Sequence, residues 1–268
     1  MSAKATHSDT YAFAATPAAL IDAQLACIQD CYDPATVTTL AGTGIGPGWR
    51  CWEVGAGGGS IASWLADRVG PQGTVVATDL NLSRLPDRPG LQARQHDITR
   101  EEAPGDGFDL VHARLVLQHL PERQKLVPRL AAALRPGGWL VLEDFDCAYL
   151  PTLTGEPEHA RLHEKVTSAM LAALTDAGVD VCWGARTFGA AVATGLVDVA
   201  GSSYAAASPG GSPGARLFAV NARQLHDTLR AAGLSETELD SYQLLMADPS
   251  VATASYLLTS TRARREAD

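Results

Sequence analysis

The stretch CWEVGAGGGS, Cys51 to Ser60, constrains the fold of this chain more than any other. A short apolar run ends in a loop where Gly55, Gly57 and Gly59 surround Ala56 and Gly58. Glycine reaches positive φ without steric cost and lets another group approach the backbone closely. Ser60 to Val69 follows with Ile61, Trp64 and Leu65 on one helical face,. Strand, glycine turn and helix in that order begin a βαβ unit.

The pattern continues downstream. Gly70-Pro71-Gln72-Gly73 turns the chain into TVVATDL, a β-branched strand that ends at Asp79,. LQARQHDI is a third strand. FDLVHA is a fourth, after the acidic loop Glu101 to Gly107. Pro121 to Leu134 is predicted helical, stopped by Arg135-Pro136-Gly137-Gly138, and WLVLEDFD is a fifth strand. Such alternation predicts an α/β fold, a doubly wound parallel sheet with right-handed crossovers. Ligands in such sheets bind at the carboxyl ends of the strands.

The flanks read less regularly. Thr16 to Leu40 is predicted helical with a break at Asp33-Pro34, and Gly42, Gly44 and Gly46 form a turn,. From about Cys147 helices are predicted at Glu158 to Ala177, Arg186 to Thr194, Asn221 to Ala232 with Asn221 as cap, and Ser235 to Leu245,. In the last of these, Ser235 and Glu238 have capping-box spacing. LVDVAGSSYAAA and VATASYLLTSTRAR read as strands, and SPGGSPG as a turn-forming stretch.

The glycine loop is selective about its ligand. A dinucleotide fingerprint is G-x-G-x-x-G, and Ser60 stands where its third glycine would be,. A nucleotide-triphosphate loop would need Lys then Ser or Thr after its last glycine, and neither is present,. Glu53, just before the glycines, would repel a pyrophosphate and suits a ligand that carries an ammonium group.

Five segments in register resemble the class I S-adenosylmethionine-dependent methyltransferases: Glu53-Val54-Gly55-Ala56-Gly57-Gly58-Gly59, VVATDL, QHDI, FDLVHARLVLQHL and LRPGGWLVLEDFD. The likeness spans roughly Gly48 to Asp146, and the flanks look like those of small-molecule, actinobacterial-type members. It implies a Rossmann-like seven-stranded sheet, mostly parallel with the last strand antiparallel, plus a helical N-terminal segment and a helical lid insertion. It divides the chain into an N-terminal helical lid or cap at 1–41 and a methyltransferase domain at 42–268. Within that domain it implies a cofactor-binding core at 48–146 and a substrate-facing insertion at about 148–195.

The same resemblance implies the cofactor, S-adenosyl-L-methionine, with S-adenosyl-L-homocysteine as product. Gly55, Ala56, Gly57 and Gly59 would approach its methionyl part, with Glu53 orienting the loop or the ammonium. Asp79 would accept from both ribose hydroxyls, and Leu80 would pack on the adenine. Asp97 would accept from the adenine amino group, and Ile98 would offer its backbone N–H. Ala113 would offer a carbonyl to the ammonium, and Arg114 would pair with the carboxylate.

His119, after the fourth strand, is the candidate general base, because the ordinary pKa of histidine lies near neutral. The plainer reading is a histidine packed at a helix start beside Pro121, since proximity alone can drive methyl transfer,. His112 reads as a packed, hydrogen-bonded strand residue, and His96 as pointing away from the face of Asp97. Asp144 and Asp146 sit on the ligand edge, either orienting a substrate or capping a loop. Tyr11 and Phe13 read as a lid or as a frayed terminus, and Trp183, Phe188 and Tyr204 as pocket wall or core.

Composition closes off several classes. The formal net charge is -9, which leaves no basic surplus for a nucleic-acid partner,. No Asp-Pro-Pro-aromatic tetrapeptide is present either. No apolar run reaches bilayer length and no signal peptide is evident, so the expected location is cytoplasmic without a membrane partner. Cys27, Cys31, Cys51, Cys147 and Cys182 are too scattered for a disulfide framework,. Cys27 and Cys31 read as buried thiols, with no metal site.

The expected activity is methyl transfer to O, N or C of a small-molecule acceptor, of a kind found in secondary metabolism. The alternatives are a cofactor-binding cyclase or pericyclase on the same scaffold and, more distantly, an NAD-dependent oxidoreductase. The oligomeric state is open, with a homodimer allowed.

Overall fold

The structure, a computed structural model, describes residues 16–267. Tyr11 and Phe13 lie outside them. The chain divides into two compact units.

One unit comprises Tyr32–Phe145, Cys182–Tyr204 and the chain from Leu258 onward. It holds β1 (Arg50–Val54), β2 (Thr74–Asp79), β3 (Leu91–Gln95), β4 (Phe108–Arg114), β5 (Leu134–Asp146), β7 (Val197–Tyr204) and β10 (Leu257–Arg264). They form one seven-stranded sheet in the order β3-β2-β1-β4-β5-β10-β7. β1 to β5 pair in parallel, and β10 runs antiparallel to β7. This is the expected doubly wound, Rossmann-like sheet with an antiparallel last strand.

Alternation along the strands builds two apolar layers. Trp52, Val54, Val76, Val111, Ala113, Leu140 and Leu142 face α3 (Arg123–Ala132), which contributes Leu126, Val127 and Leu130. Cys51, Val75, Ala77, Leu110 and Val141 face α2 (Ser60–Val69), with Ile61, Leu65 and Val69, and also Leu40 near the end of α1 (Ala18–Ala41). A parallel sheet needs cover on both faces, and these helices supply it. Each fully buried Leu or Val stabilises the fold by about 1.5–3 kcal/mol.

The other unit comprises the described residues up to Cys31, with Asp146–Val181 and Ala205–Leu257. It contains α4 (Pro157–Asp176), α6 (Pro213–Gln224), α7 (His226–Ala231) and α8 (Glu236–Leu245). A three-stranded antiparallel sheet joins β6 (Thr152–Thr154), β9 (Ala252–Ala254) and β8 (Ala207–Pro209). Its core stacks His163 on Tyr242, with ring centroids 6.0 Å apart, and sets Phe218 edge-on to His163 at 5.0 Å. Cys27 and Cys31 are buried in α1.

The structure corrects several sequence expectations. α1 runs through Pro34 without a break. The missing N–H of a mid-helix proline costs about 3 kcal/mol or more, and full burial of Tyr32 and Leu40 on either side offsets it. Asn221 caps nothing: it lies buried inside α6, which starts at Pro213. Its carboxamide bridges Gln24 (2.8 Å) and the Tyr256 hydroxyl (3.3 Å). Part of SPGGSPG is therefore the last residues of β8 and the first of α6, with proline in the first turn,.

The helix predicted over Pro121 to Leu134 is shorter, and Arg135 to Gly138 are the bulged start of β5 instead of a stop. Gly137 takes φ +78 there. Arg186 to Thr194 resolves into a 3-10 turn at Trp183–Arg186 and α5 (Thr187–Val192). The final predicted strand is two strands, β9 and β10, in different sheets. The capping box of α8, Ser235 with Glu238, forms as predicted.

Candidate functional site

The loop after β1 is shaped by backbone geometry that only glycine tolerates well. Gly55, Gly57 and Gly59 take φ +64, +53 and +77. A Cβ at Gly55 would collide with Val116, and one at Gly59 would strike Pro86. The loop is pinned to β2 at two points. The Ala56 N–H donates to the Thr78 carbonyl (2.9 Å), and the Gly57 N–H donates to Oδ2 of Asp79 (2.9 Å). Oδ1 of Asp79 accepts from the Asn81 N–H (3.0 Å). Asp79 thus stands half-buried beside the glycines, with acceptor capacity left on both oxygens,. Leu80, next to it, is 39% exposed, an apolar surface beside a hydrogen-bonding carboxylate.

Asp97 follows β3. Its Oδ1 accepts from the Thr99 N–H (2.9 Å) and hydroxyl (2.6 Å), and Oδ2 lies 3.3 Å from Arg100 Nε. The side chain organises its own turn, the plainer of its two readings. The Ile98 side chain packs on the core, and its carbonyl accepts from Arg129 (3.0 Å). Ala113 is fully buried near the end of β4, paired with Val54 and Leu142. Leu115, just beyond, takes φ +56, a strained value for a leucine, at the carboxyl edge of the sheet,.

Two of the expected ligand residues point elsewhere. Arg114 reaches Asp33 Oδ1 (2.8 Å) and the Thr36 hydroxyl (3.0 Å), both on α1. Glu53 is buried and holds Nδ1 of His112 at 2.7 Å. The other ring nitrogen of His112 is 3.3 Å from Glu143, whose two oxygens also accept from the hydroxyls of Thr36 (2.6 Å) and Ser260 (2.5 Å). Burial alone would depress the His112 pKa. The charge of Glu53 and the hydrogen bonds to Glu143 and Glu53 outweigh it and hold the ring at about 9,. Burial works to raise the Glu143 carboxyl, but His112, Ser260 and Thr36 together hold it below the usual range.

Glu143, Thr36 and Ser260 escaped the sequence reading. A signal for Glu143 existed: it shares the parity of Val141 on β5, as Glu53 shares that of Cys51 and His112 that of Leu110. All three polar residues therefore fall on one sheet face, in three adjacent strands,.

His119 ends a 3-10 turn, Leu117–His119. The Gln118 carboxamide donates to His119 Nε2 (3.2 Å), which puts the proton of a neutral ring on Nδ1,. Gln118 is anchored to the end of β5: its N–H donates to Asp144 (3.3 Å), and its carbonyl oxygen accepts from the Phe145 N–H (3.3 Å). Asp146 accepts from the Ala148 N–H (3.1 Å), a loop-capping role. His96 bonds the Glu102 carbonyl (2.8 Å) and meets Trp52 edge-on. Trp183 is core, whereas Phe188 and Tyr204 are partly exposed.

Comparison with known proteins bears on the domain and its fold. A family model described as "Methyltransferase domain" matches residues 52–140. Methyltransferase str3 of Strobilurus tenacellus is 35% identical over 111 residues, 40% of this chain and 39% of the relative. Trans-aconitate 2-methyltransferase of Variovorax paradoxus (strain S110) is 32% identical over 114 residues, 41% of each. The chain thus spans about two fifths of the length of these curated relatives. The solved structure of Haemonchus contortus phosphoethanolamine N-methyltransferase 2, with phosphomonomethylethanolamine and S-adenosylhomocysteine, aligns with a TM-score of 0.61. It covers 99% of this chain and 61% of that one at 16% identity, a likeness of fold. Residues 52–140 are thus similar to a methyltransferase domain, and the sheet they belong to has the fold of a solved methyltransferase.

Proposed function

We propose that the protein moves a methyl group from S-adenosyl-L-methionine to an O, N or C atom of a small-molecule acceptor, releasing S-adenosyl-L-homocysteine. The observation that carries this reading is the pairing of Asp79 with the glycine loop. A carboxylate fixed by the Gly57 N–H at the carboxyl edge of the sheet suits a ribose diol, because it only accepts hydrogen bonds and the diol only has to donate,. At Gly55 the space a Cβ would fill is taken by Val116, so the loop keeps bare backbone there, which a ligand can approach closely. These residues fit the cofactor.

The bound sulfonium supplies the electrophilic methyl. Everything else falls to the chain. Gly55, Ala56, Gly57 and Gly59 line the methionyl part, and Asp79 fixes the ribose. Leu80 covers one face of the adenine. Asp97 accepts from the adenine amino group alongside its bonds to Thr99 and Arg100, and Ile98 offers its backbone N–H,. Ala113 presents backbone to the ammonium. Glu53 acts through the loop it starts, because its carboxylate is bound to His112. Arg114 serves the α1 contact in place of the cofactor carboxylate. Where the acceptor is a hydroxyl or a protonated amine, His119 takes the proton once Gln118 yields its Nε2.

The net charge of -9 supports a small-molecule acceptor over a nucleic acid,. No helix among the described residues is long and apolar enough to cross a membrane, and a cytoplasmic location completes the reading.

Calorimetric titration with S-adenosylmethionine, S-adenosylhomocysteine and NADH tests it. Binding of the two sulfur compounds, weakened about 10–100-fold in Asp79→Asn with the melting temperature nearly unchanged, supports the site. Binding of NADH alone overturns it. Labelled-methyl screening then finds the acceptor, and His119→Asn lowers kcat about 100-fold or more where a base is needed.

A further inference from the structure

We propose that His112 is a positioning residue for the cofactor loop: its ring clamps Glu53, at the end of β1, to Glu143, near the end of β5, and so fixes the point from which the glycines depart. The inference rests on the cofactor reading above and goes beyond it, since no contact between His112 and ligand is involved.

The geometry leaves this ring few other roles. It is fully buried, and its two nitrogens are spent on two carboxylates from the neighbouring strands. A neutral imidazole has one N–H and could satisfy only one of them, whereas the imidazolium donates to both. Two buried carboxylates facing one cation would still carry surplus negative charge. The structure meets that with hydrogen bonds to Glu143 from the Thr36 and Ser260 hydroxyls. Thr36 in turn accepts from Arg114, which is paired with Asp33. The groups facing the ring are therefore Glu53 from β1 and Glu143 from β5, backed by hydroxyls from α1 and β10 and by the Arg114–Asp33 pair.

Glu53 lies two residues before Gly55, so a hold on its side chain acts on the strand end from which the glycines depart. The strand register supports the same link. Glu53 is the direct partner of His112, and Arg114, two residues on, is the partner of Glu143. The clamp thus spans β1, β4 and β5 at the edge where the ligand would sit, and through Thr36 it ties that edge to α1.

The test uses the full chain. Titration of imidazole nuclei by NMR, with the His112 signal assigned by its loss in His112→Gln, shows a ring still cationic at about pH 8, above the ordinary histidine range. S-adenosylhomocysteine binding is then measured in wild type, His112→Gln, Glu53→Gln and the double variant. Each single variant weakens binding on the order of tenfold, the scale seen when a residue that orients a ligand-holding group is removed. The double variant is no weaker than the singles, because both break one clamp. Wild-type affinity falls as pH rises through about 9, and the affinity of His112→Gln does not,.

A neutral His112 at about pH 7.5 overturns the proposal even where the variants fail to fold. So does wild-type affinity in His112→Gln, or additivity in the double variant. Absence of wild-type binding overturns the cofactor reading itself and takes this proposal with it. An unaltered His112→Gln overturns this proposal alone.

Discussion

The protonated His112 makes stability depend on pH in a direction that can be worked out in advance. Its folded pKa is about 9, against about 6.5 for a free histidine,. Folding raises the proton affinity, so the native state binds more protons than the unfolded chain between those values, and stability falls as pH rises. The contribution is complete below about pH 6.5 and lost as pH climbs through about 9,. A tenfold gain in proton affinity is worth about 1.4 kcal/mol, so the whole contribution amounts to about 3 kcal/mol. The side chain has no exposed surface, so solvent screening takes little away. For a chain of this size about 3 kcal/mol corresponds to roughly 6–12 °C in Tm.

The assay compares Tm and urea unfolding of wild type and His112→Gln at about pH 6, 7.5 and 9.5, followed by tryptophan fluorescence. Titrating groups that do not touch His112 are common to both proteins and cancel in the difference. The wild-type advantage is largest at the lowest pH and shrinks by about 1.4 kcal/mol per pH unit across the window. A difference that stays constant from about pH 6 to 9.5 would refute the reasoning, because it would mean that the ring carries the same charge in both states.

Gly55→Ala forces alanine to φ +64, costing about 1–2 kcal/mol, and drives its Cβ into Val116; titration with S-adenosylhomocysteine should show affinity lost about tenfold or more, and wild-type affinity would contradict the loop reading. Burial holds His163 down at about 4 despite a hydrogen bond to the Leu150 backbone, so it is neutral in the fold and stability drains as pH falls from about 6.5 toward 4,. Protection factors in α4, referred to the intrinsic exchange rate at each pH, should fall over that window, and protection that stays constant there would show that His163 does not set the acid sensitivity. Leu65→Ala, at a fully buried position between α2 and the sheet, should cost about 2–5 kcal/mol in urea unfolding,; a cost under about 1 kcal/mol would mean that this layer is loosely packed.

The central architecture was legible because its signals are local. β1, β2 and β4 each announce themselves as apolar runs ending at a glycine or a charged residue. The positive-φ loop needs glycines wherever it occurs. Ser235 and Glu238 lie three residues apart, so their mutual capping is a matter of one helical turn,. The same local logic misled at Pro34 and Asn221. A proline or a cap-forming residue states only a preference, and burial on either side of Pro34 and side-chain partners far along the chain from Asn221 decided otherwise.

The sequence by itself determined that a Rossmann-like sheet forms, that its first turn is a glycine loop at positive φ, and that Asp79 follows at the same edge. Only the tertiary structure decided what Glu53, Arg114 and Asp97 do. Asp97 spends its oxygens on its own turn and on Arg100. Arg114 turns to α1. Glu53 meets His112 from a position 59 residues earlier, and Glu143 joins them from 31 residues later. Strand alternation gives each of these residues a face but not a neighbour. Neighbours are set by the order and register of strands that pair across long stretches of chain, and a carboxylate binds whichever cation or hydroxyl that pairing brings within about 3 Å.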